Sequence, residues 1–172
     1  MSQQTSGLVL TKLDRRPRKS RSERGSELVE FALVLLPLFA LVFLSFDTAW
    51  VIFIRAALQE AVREGVRFGI TGQSMSGACL DASIQQVVKT YSFGFVKSPG
   101  QVSIAYYSPF NPGTNLAGTP GATAGGNILQ VSINGVSVRS VAPLWRSATP
   151  LNLSATAVDV METSPSNFPP CE

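Results

Sequence analysis

Apolar residues follow three successive patterns along this chain, and the first predicts a membrane-spanning helix. From Leu28 to Ile54 the sequence is almost uniformly apolar, and only Glu30 and Asp47 in this stretch can carry a charge. A helix of about 20 apolar residues crosses the hydrocarbon core of a bilayer. We therefore expect a transmembrane helix over residues 26–47.

The second pattern is helical periodicity. After Trp50 the apolar residues recur at spacings of three and four, which predicts an amphipathic continuation of the helix over residues 48–69. A similar stripe further on predicts a second helix that packs into a core. The first stripe comprises Ile54, Ala57, Leu58, Ala61, Val62 and Val66, and the second comprises Leu80, Ile84, Val87, Val88 and Tyr91.

The third pattern is alternation, which predicts strands at residues 102–106, 129–133, 136–138 and 151–157. Asn134-Gly135 indicates a tight hairpin turn between two of them. Residues 108–126 are rich in proline and glycine and predict a flexible surface loop. Three or four antiparallel strands packed on a helix give an α+β body over residues 70–172.

The distribution of charge gives the chain an orientation. Residues 1–25 hold seven basic and two acidic side chains, whereas the rest of the chain is mildly acidic. A basic cluster is typical of a nucleic-acid arm or of the cytoplasmic flank of a membrane helix. The adjoining apolar run favours the second interpretation, with no nucleic acid as partner. The positive-inside bias then places residues 1–25 in the cytoplasm and the body outside it.

The apolar run is too long for an ordinary secretory signal, and it lacks a small-x-small exit. We therefore expect a single-pass protein whose helix stays in the membrane.

Composition argues against catalysis. The chain has no histidine and two cysteines, so the commonest general base and metal ligand is absent and a cysteine-only zinc site cannot form. The glycine-rich stretches at residues 72–77 and 121–126 match neither a serine elbow nor a phosphate-binding loop. We expect no enzyme activity, no metal, no cofactor and no small-molecule substrate.

The junction between the basic segment and the apolar run resembles a known leader. Residues 24–37 read R-G-S-E-L-V-E-F-A-L-V-L-L-P. This is similar to a type IV prepilin leader, and more specifically to the TadE-like pseudopilins of tight-adherence, or Flp-type, pilus systems. The resemblance covers roughly residues 24–69, with one leucine more than the family's pattern before Pro37.

The resemblance implies a pilin-like fold and a proteolytic step. A prepilin peptidase would cut between Gly25 and Ser26, so that residues 1–25 are a cleaved leader and Glu30 is the fifth mature residue. Glu30 would pair with the new ammonium group, on a neighbouring subunit if assemblies form, and set the register of assembly. On position alone, Glu30 could instead extend to the cytoplasmic headgroups.

Three further features concern individual residues. Pro37 removes a backbone hydrogen bond and permits a helix kink, although prolines are also tolerated in membrane helices. Asp47 and Trp50 fall where an acid and an indole suit the outer membrane interface. Outside the cytoplasm, Cys79 and Cys171 can form a disulfide, and the alternative is two unrelated thiols.

The resemblance implies a minor pseudopilin or assembly component in a bacterial inner membrane. Its partners would be the lipid bilayer, the prepilin peptidase, pilin subunits and other pilus-assembly proteins. The alternative is an unprocessed, membrane-anchored extracytoplasmic binding domain with residues 108–126 as its ligand surface. The N-terminus of the mature protein distinguishes these two hypotheses.

Overall fold

The structure, a computed structural model, describes residues 21–139 and 150–163, with side chains from residue 25 onward. These residues form an α+β fold, which confirms the predicted long helix, second helix and small antiparallel sheet. The elements are α1 (Arg21–Ile70), α2 (Leu80–Tyr91), a short 3-10 helix (Pro99–Gln101), β1 (Val102–Ser108), β2 (Asn111–Asn115), β3 (Ile128–Val138) and β4 (Leu151–Val160).

The chain divides into two compact units after Leu41. In the first unit, the large apolar side chains of α1 are exposed, as Leu28 and Leu36 illustrate. The helix is long and apolar enough from Gly25 onward to cross a membrane, and none of its most apolar stretch is buried within the protein. This is compatible with a membrane anchor.

The second unit starts at Val42, so it includes the later part of α1 as well as residues 70–172, and it is called the body from here on. Its core joins the later part of α1, α2 and one face of the sheet. The helical spacing of apolar residues in the sequence explains how the two helices contribute to this core, because residues three or four apart lie on one side of a helix. Leu58 and Val62 of α1 are fully buried, as are Ile84 and Val88 of α2. The sheet contributes chiefly Val102, Tyr106, Leu129, Val131, Ile133, Val136 and Val138.

Two glycines allow the closest packing in this body. A methyl group on Gly65 would collide with Val88, and one on Gly69 would lie 2.5 Å from Leu129 Cδ2. Helix α1 can therefore approach α2 and β3 only because these positions carry no side chain. The helix then ends at Ile70, and Gly72 follows with a positive φ of 64°.

The sheet has the order β2-β1-β3-β4, and every neighbouring pair is antiparallel. The predicted hairpin at Asn134-Gly135 is wrong, because β3 continues through it and pairs with β4 on both sides. Ile133 pairs with Ala155 and Val136 pairs with Leu153, so β3 holds one extra residue at a bulge. Gly135 adopts a φ of 72° there, which a glycine accommodates without strain.

The bulge has a consequence for packing. Side chains alternate between the two faces of a strand, so an extra residue exchanges the faces beyond it. Ile133 is buried before the bulge, and Val136 and Val138 are buried after it. The bulge therefore keeps the apolar residues of both halves of β3 in the core.

The prediction that residues 108–126 lack regular structure is also wrong in part. Residues 111–115 form β2, which pairs with β1 at one edge of the sheet. Ala122 is fully buried, and its carbonyl accepts a hydrogen bond from Asn127 Nδ2 at 3.0 Å. The segment therefore combines an edge strand with turns that are hydrogen-bonded to the body.

Candidate processing and assembly site

The predicted cleavage junction lies in the first turns of α1. Gly25 is exposed, and apart from its chain neighbours and the adjacent backbone of its own helix, no described atom lies within 4 Å of the position that its Cβ would occupy. Glycine destabilises a helix interior by about 1 kcal/mol relative to alanine, and helix ends open easily. The Gly25–Ser26 bond is therefore accessible and lies at a point where the helix is easily unwound for a protease.

Glu30 is exposed one helical turn after Ser26. Residues four apart in a helix are neighbours, and side chains tilt toward the helix N-terminus. The Glu30 carboxylate is thus positioned to reach toward Ser26, and within the described residues it makes no ion pair or hydrogen bond. An ionised carboxylate in an apolar helix is costly and favours a positively charged partner.

Pro37 lies inside α1, and the helix continues through it without interruption. Proline has no N–H, so the carbonyl of Leu33, four residues earlier, loses its usual helical partner. A bend at this position stays a prediction.

The residues expected at the outer interface belong to the body. Asp47 is half-buried, and Trp50 is 42% exposed. Between them, the Thr48 hydroxyl donates to the carbonyl of Leu44 at 2.8 Å, which satisfies that polar group within the helix itself. The interfacial role of Asp47 and Trp50 stays a prediction.

Cys79 is the N-cap residue of α2 and is a disulfide-bonded cysteine. Its predicted partner, Cys171, lies outside the described residues, so the assignment of this pair stays a prediction.

A polar link between β1 and α2 was not foreseen from the sequence. The hydroxyl of the fully buried Tyr106 donates a hydrogen bond to Asp81 Oδ1 at 2.5 Å. Burial raises the pKa of Tyr106 far above its usual value of 10, and the hydrogen bond and the negative charge of Asp81 raise this pKa further. Asp81 therefore helps to hold the sheet against α2.

A second unforeseen feature is an aromatic cluster near the start of the body. The ring centroids of Trp50 and Phe53 are 5.8 Å apart, and that of Phe95 lies 6.2 Å from Trp50. Phe95 follows α2 by a few residues, so only the tertiary fold brings it to α1. A cavity of about 250 Å³ opens beside Trp50.

The structure thus distributes the predicted site residues over both units. Gly25, Ser26 and Glu30 lie together within two turns of α1, and Pro37 follows in the same unit. Asp47, Trp50 and Cys79 belong to the body. No group of three or more acidic, cysteine or histidine residues that could hold a metal ion occurs among the residues the structure describes.

Comparison with known protein families gives a match over part of the chain. The family model described as TadE-like protein matches residues 25–67, about a quarter of the chain. No curated protein and no solved structure matches the chain. The matched segment, from Gly25 to Arg67, is thus similar to the family that the junction resembles.

Proposed function

We propose that this chain is a minor pseudopilin or assembly component of a tight-adherence pilus. In this account it inserts as a single-pass protein of the bacterial inner membrane, with residues 1–25 in the cytoplasm and the part of the chain after residue 47 in the periplasm. A prepilin peptidase removes residues 1–25. The mature protein then acts through contacts with pilin subunits and other assembly proteins, and performs no catalysis itself.

One observation carries this proposal: the TadE-like match begins at Gly25, the residue after which the leader would be cut. The matched segment includes Glu30 and ends within the part of α1 that packs in the body. The exposure of the Gly25–Ser26 junction and the apolar surface of α1 support the same proposal, because processing needs access and membrane insertion needs apolar surface.

The proposed chemistry of assembly is electrostatic. Cleavage creates an ammonium group at Ser26, and Glu30 is the carboxylate one turn away. Two unit charges 4 Å apart attract by about 4 kcal/mol at an effective dielectric constant near 20, although desolvation offsets part of this. A Ser26 ammonium on the same chain or on a neighbouring subunit can satisfy Glu30. Only pairing between subunits would set the register of assembly.

The processing step is tested by substitution at Gly25. We expect Gly25→Phe to block cleavage, because a bulky ring replaces the small residue at the cut. Gly25→Ala, which adds only a methyl group to the native glycine, is the control. Membrane fractions analysed by electrophoresis should show a product 25 residues longer for Gly25→Phe than for the wild type. Equal mobility of the two products would refute the assigned cut site.

The assembly step is tested separately at Glu30. We expect Glu30→Gln to be processed after Gly25 but to reduce the number of pili, because the uncharged amide cannot neutralise the Ser26 ammonium. Glu30→Asp should restore part of the function, and Glu27→Gln is a matched control that removes a carboxylate one turn earlier. Normal piliation of Glu30→Gln would exclude a register role for Glu30.

A further inference from the structure

The aromatic cluster and the adjoining cavity form an amphipathic surface on the body. Trp50 and Phe53 are 42% and 49% exposed, so their rings are only partly covered. Phe95 stands edge-on to both, with its centroid 6.3 Å from that of Phe53. This edge-to-face arrangement fixes the rings relative to one another while leaving an apolar surface open to the exterior.

Positive charge lies directly beside these rings. The cavity is lined by Trp50, Phe95, Lys97 and Arg139, and no carboxylate of the described chain lines it. Neither Lys97 nor Arg139 forms an ion pair in the described ranges. The remaining polar lining comes from Gln101 and Ser137. The cavity therefore combines two cations with hydrogen-bonding groups and suits an anion.

Local structure holds Lys97 at this position. The Gln101 side chain accepts hydrogen bonds from the backbone N–H of Lys97 at 2.8 Å and from that of Ser98 at 3.1 Å. The same side chain donates to the carbonyl of Gly135 at 3.2 Å. Gln101 thus joins the segment that carries Lys97 to the bulge in β3, four residues before Arg139. These hydrogen bonds position the backbone that carries Lys97, and the side chains of Lys97 and Arg139 are both exposed.

The position of this surface along α1 indicates which part of the membrane it contacts in the proposed topology. Trp50 follows Asp47 by three residues, about 4.5 Å along the axis, and the proposed span ends at Asp47. Tryptophan side chains concentrate at the membrane interface, where the rings reach the acyl boundary and polar groups reach the headgroups. In the proposed topology, the cavity lies at the level of the outer-leaflet headgroups.

We propose that this cavity binds the phosphate-bearing headgroup of an anionic phospholipid in the outer leaflet, with Lys97 and Arg139 on the phosphate and the Trp50–Phe53–Phe95 cluster against the lipid below it. This inference rests on the membrane topology in the proposed function. At about 250 Å³ the cavity is smaller than sites for drug-sized ligands, which are about 300–1,000 Å³. Such a size suits a headgroup whose acyl chains remain in the bilayer.

The proposal is tested by fluorescence of Trp50 in the full-length protein. The only other tryptophan is Trp145, so Trp145→Phe leaves Trp50 as the sole indole. The protein is placed in phosphatidylcholine nanodiscs that contain a minor fraction of brominated lipid. The brominated lipid is either phosphatidylglycerol or phosphatidylcholine, with bromine at the same acyl position. Because the bromine then lies at the same depth in both lipids, a difference in quenching reports the headgroup preference alone.

Each basic residue near an anionic surface favours binding by about fivefold. We therefore expect brominated phosphatidylglycerol to quench Trp50 at least about twofold more strongly than brominated phosphatidylcholine. The double variant Lys97→Gln/Arg139→Gln should lose this preference. The control Arg63→Gln/Lys89→Gln, which removes two exposed cations elsewhere in the body, should retain it.

Three outcomes would overturn the proposal: equal quenching by both lipids, equal loss of preference in the two double variants, and binding of soluble glycerol phosphate without enrichment of phosphatidylglycerol. The test of the lipid site can succeed or fail independently of the test of the pilus proposal. A protein that is cut after Gly25 and assembles, yet shows no headgroup preference, refutes only the lipid site. A protein that is not cut after Gly25 but shows the headgroup preference refutes the pseudopilin proposal and supports the lipid site.

Discussion

Two stretches of the same helix, residues 28–46 and residues 54–70, differ in apolar content and lie in opposite environments. In the first, Leu36 is 66% exposed, and most of the large apolar side chains between Leu28 and Phe46 are likewise exposed. In the second, Leu58 is fully buried in the core of the body. Apolar content alone therefore does not determine which part of a helix joins a protein core.

The pattern of residues differs too: the second stretch is amphipathic, and its small residues lie on one side of the helix. The second stretch carries Ala57, Ala61, Gly65 and Gly69 at intervals of four, which lines one side of the helix with small side chains. The close approach of Val88 and Leu129 to the two glycines shows what this side accommodates. The first stretch is apolar on all sides, which suits a uniform solvent such as lipid.

The largest expected effect comes from truncating the same residue type in both stretches. Leu58→Ala should lower the free energy of unfolding of the body by about 2–5 kcal/mol, because it leaves a cavity in a packed core. Leu36→Ala should change it by less than about 0.5 kcal/mol, since that side chain contributes nothing to the core. Denaturant unfolding of the full-length protein in detergent, followed by near-ultraviolet circular dichroism, measures both. Equal effects would contradict the comparison.

A smaller effect is expected from placing a larger side chain among the small residues that line this side of α1. Gly65→Val should destabilise the body by about 3 kcal/mol, because the new side chain forces Val88 and its neighbours apart. Ala56→Val, at an exposed position in the same helix, is the matched control and should cost about 0.5 kcal/mol from helix propensity alone. The same unfolding measurement applies. A tolerated Gly65→Val would mean that the close approach is unimportant.

The hydrogen bond between Tyr106 and Asp81 should contribute about 2 kcal/mol at neutral pH, so Tyr106→Phe should lower stability by about that amount. The pKa of Tyr106 is raised in the folded protein, so its contribution is fully present below pH 10 and is lost as the pH rises above 10. The stability difference between wild type and Tyr106→Phe should therefore shrink in alkaline solution. A difference that grows above pH 10 would contradict the assigned direction.

The smallest effect is expected at Gln101. Gln101→Ala removes the side chain that joins the Lys97 segment to the bulge at Gly135, and should cost about 1 kcal/mol. Its more specific consequence is local: amide hydrogen exchange at Lys97 and Ser98 should accelerate relative to exchange in α2. Uniform acceleration across the body would instead indicate a global loss of stability.

Much of this architecture was predictable, because periodicity reports burial directly. The stripe from Leu80 to Val88 and the alternation in β1 and β4 depend on which side of an element faces the core, and that is encoded locally. The junction at Gly25–Ser26 and Glu30 is likewise a contiguous motif, and the family comparison matches it.

The features that escaped prediction depend on contacts between distant residues. Asn134-Gly135 has the sequence of a hairpin turn, but pairing with β4 makes it a bulge. Residues 111–115 have no apolar alternation, and β2 exists because β1 offers an edge. Tyr106 and Asp81 are 25 residues apart, and Trp50 and Phe95 are further apart still, so no local pattern indicates either contact.

The measurement that tests the central claim most directly is the identity of the N-terminal residue of the protein isolated from its native membrane, by intact mass and terminal peptide sequencing. We predict that the mature chain begins at Ser26, with an ammonium group available to Glu30. A mature chain that retains the arginine-rich residues before Gly25 would contradict the pseudopilin account and favour an anchored extracytoplasmic binding domain.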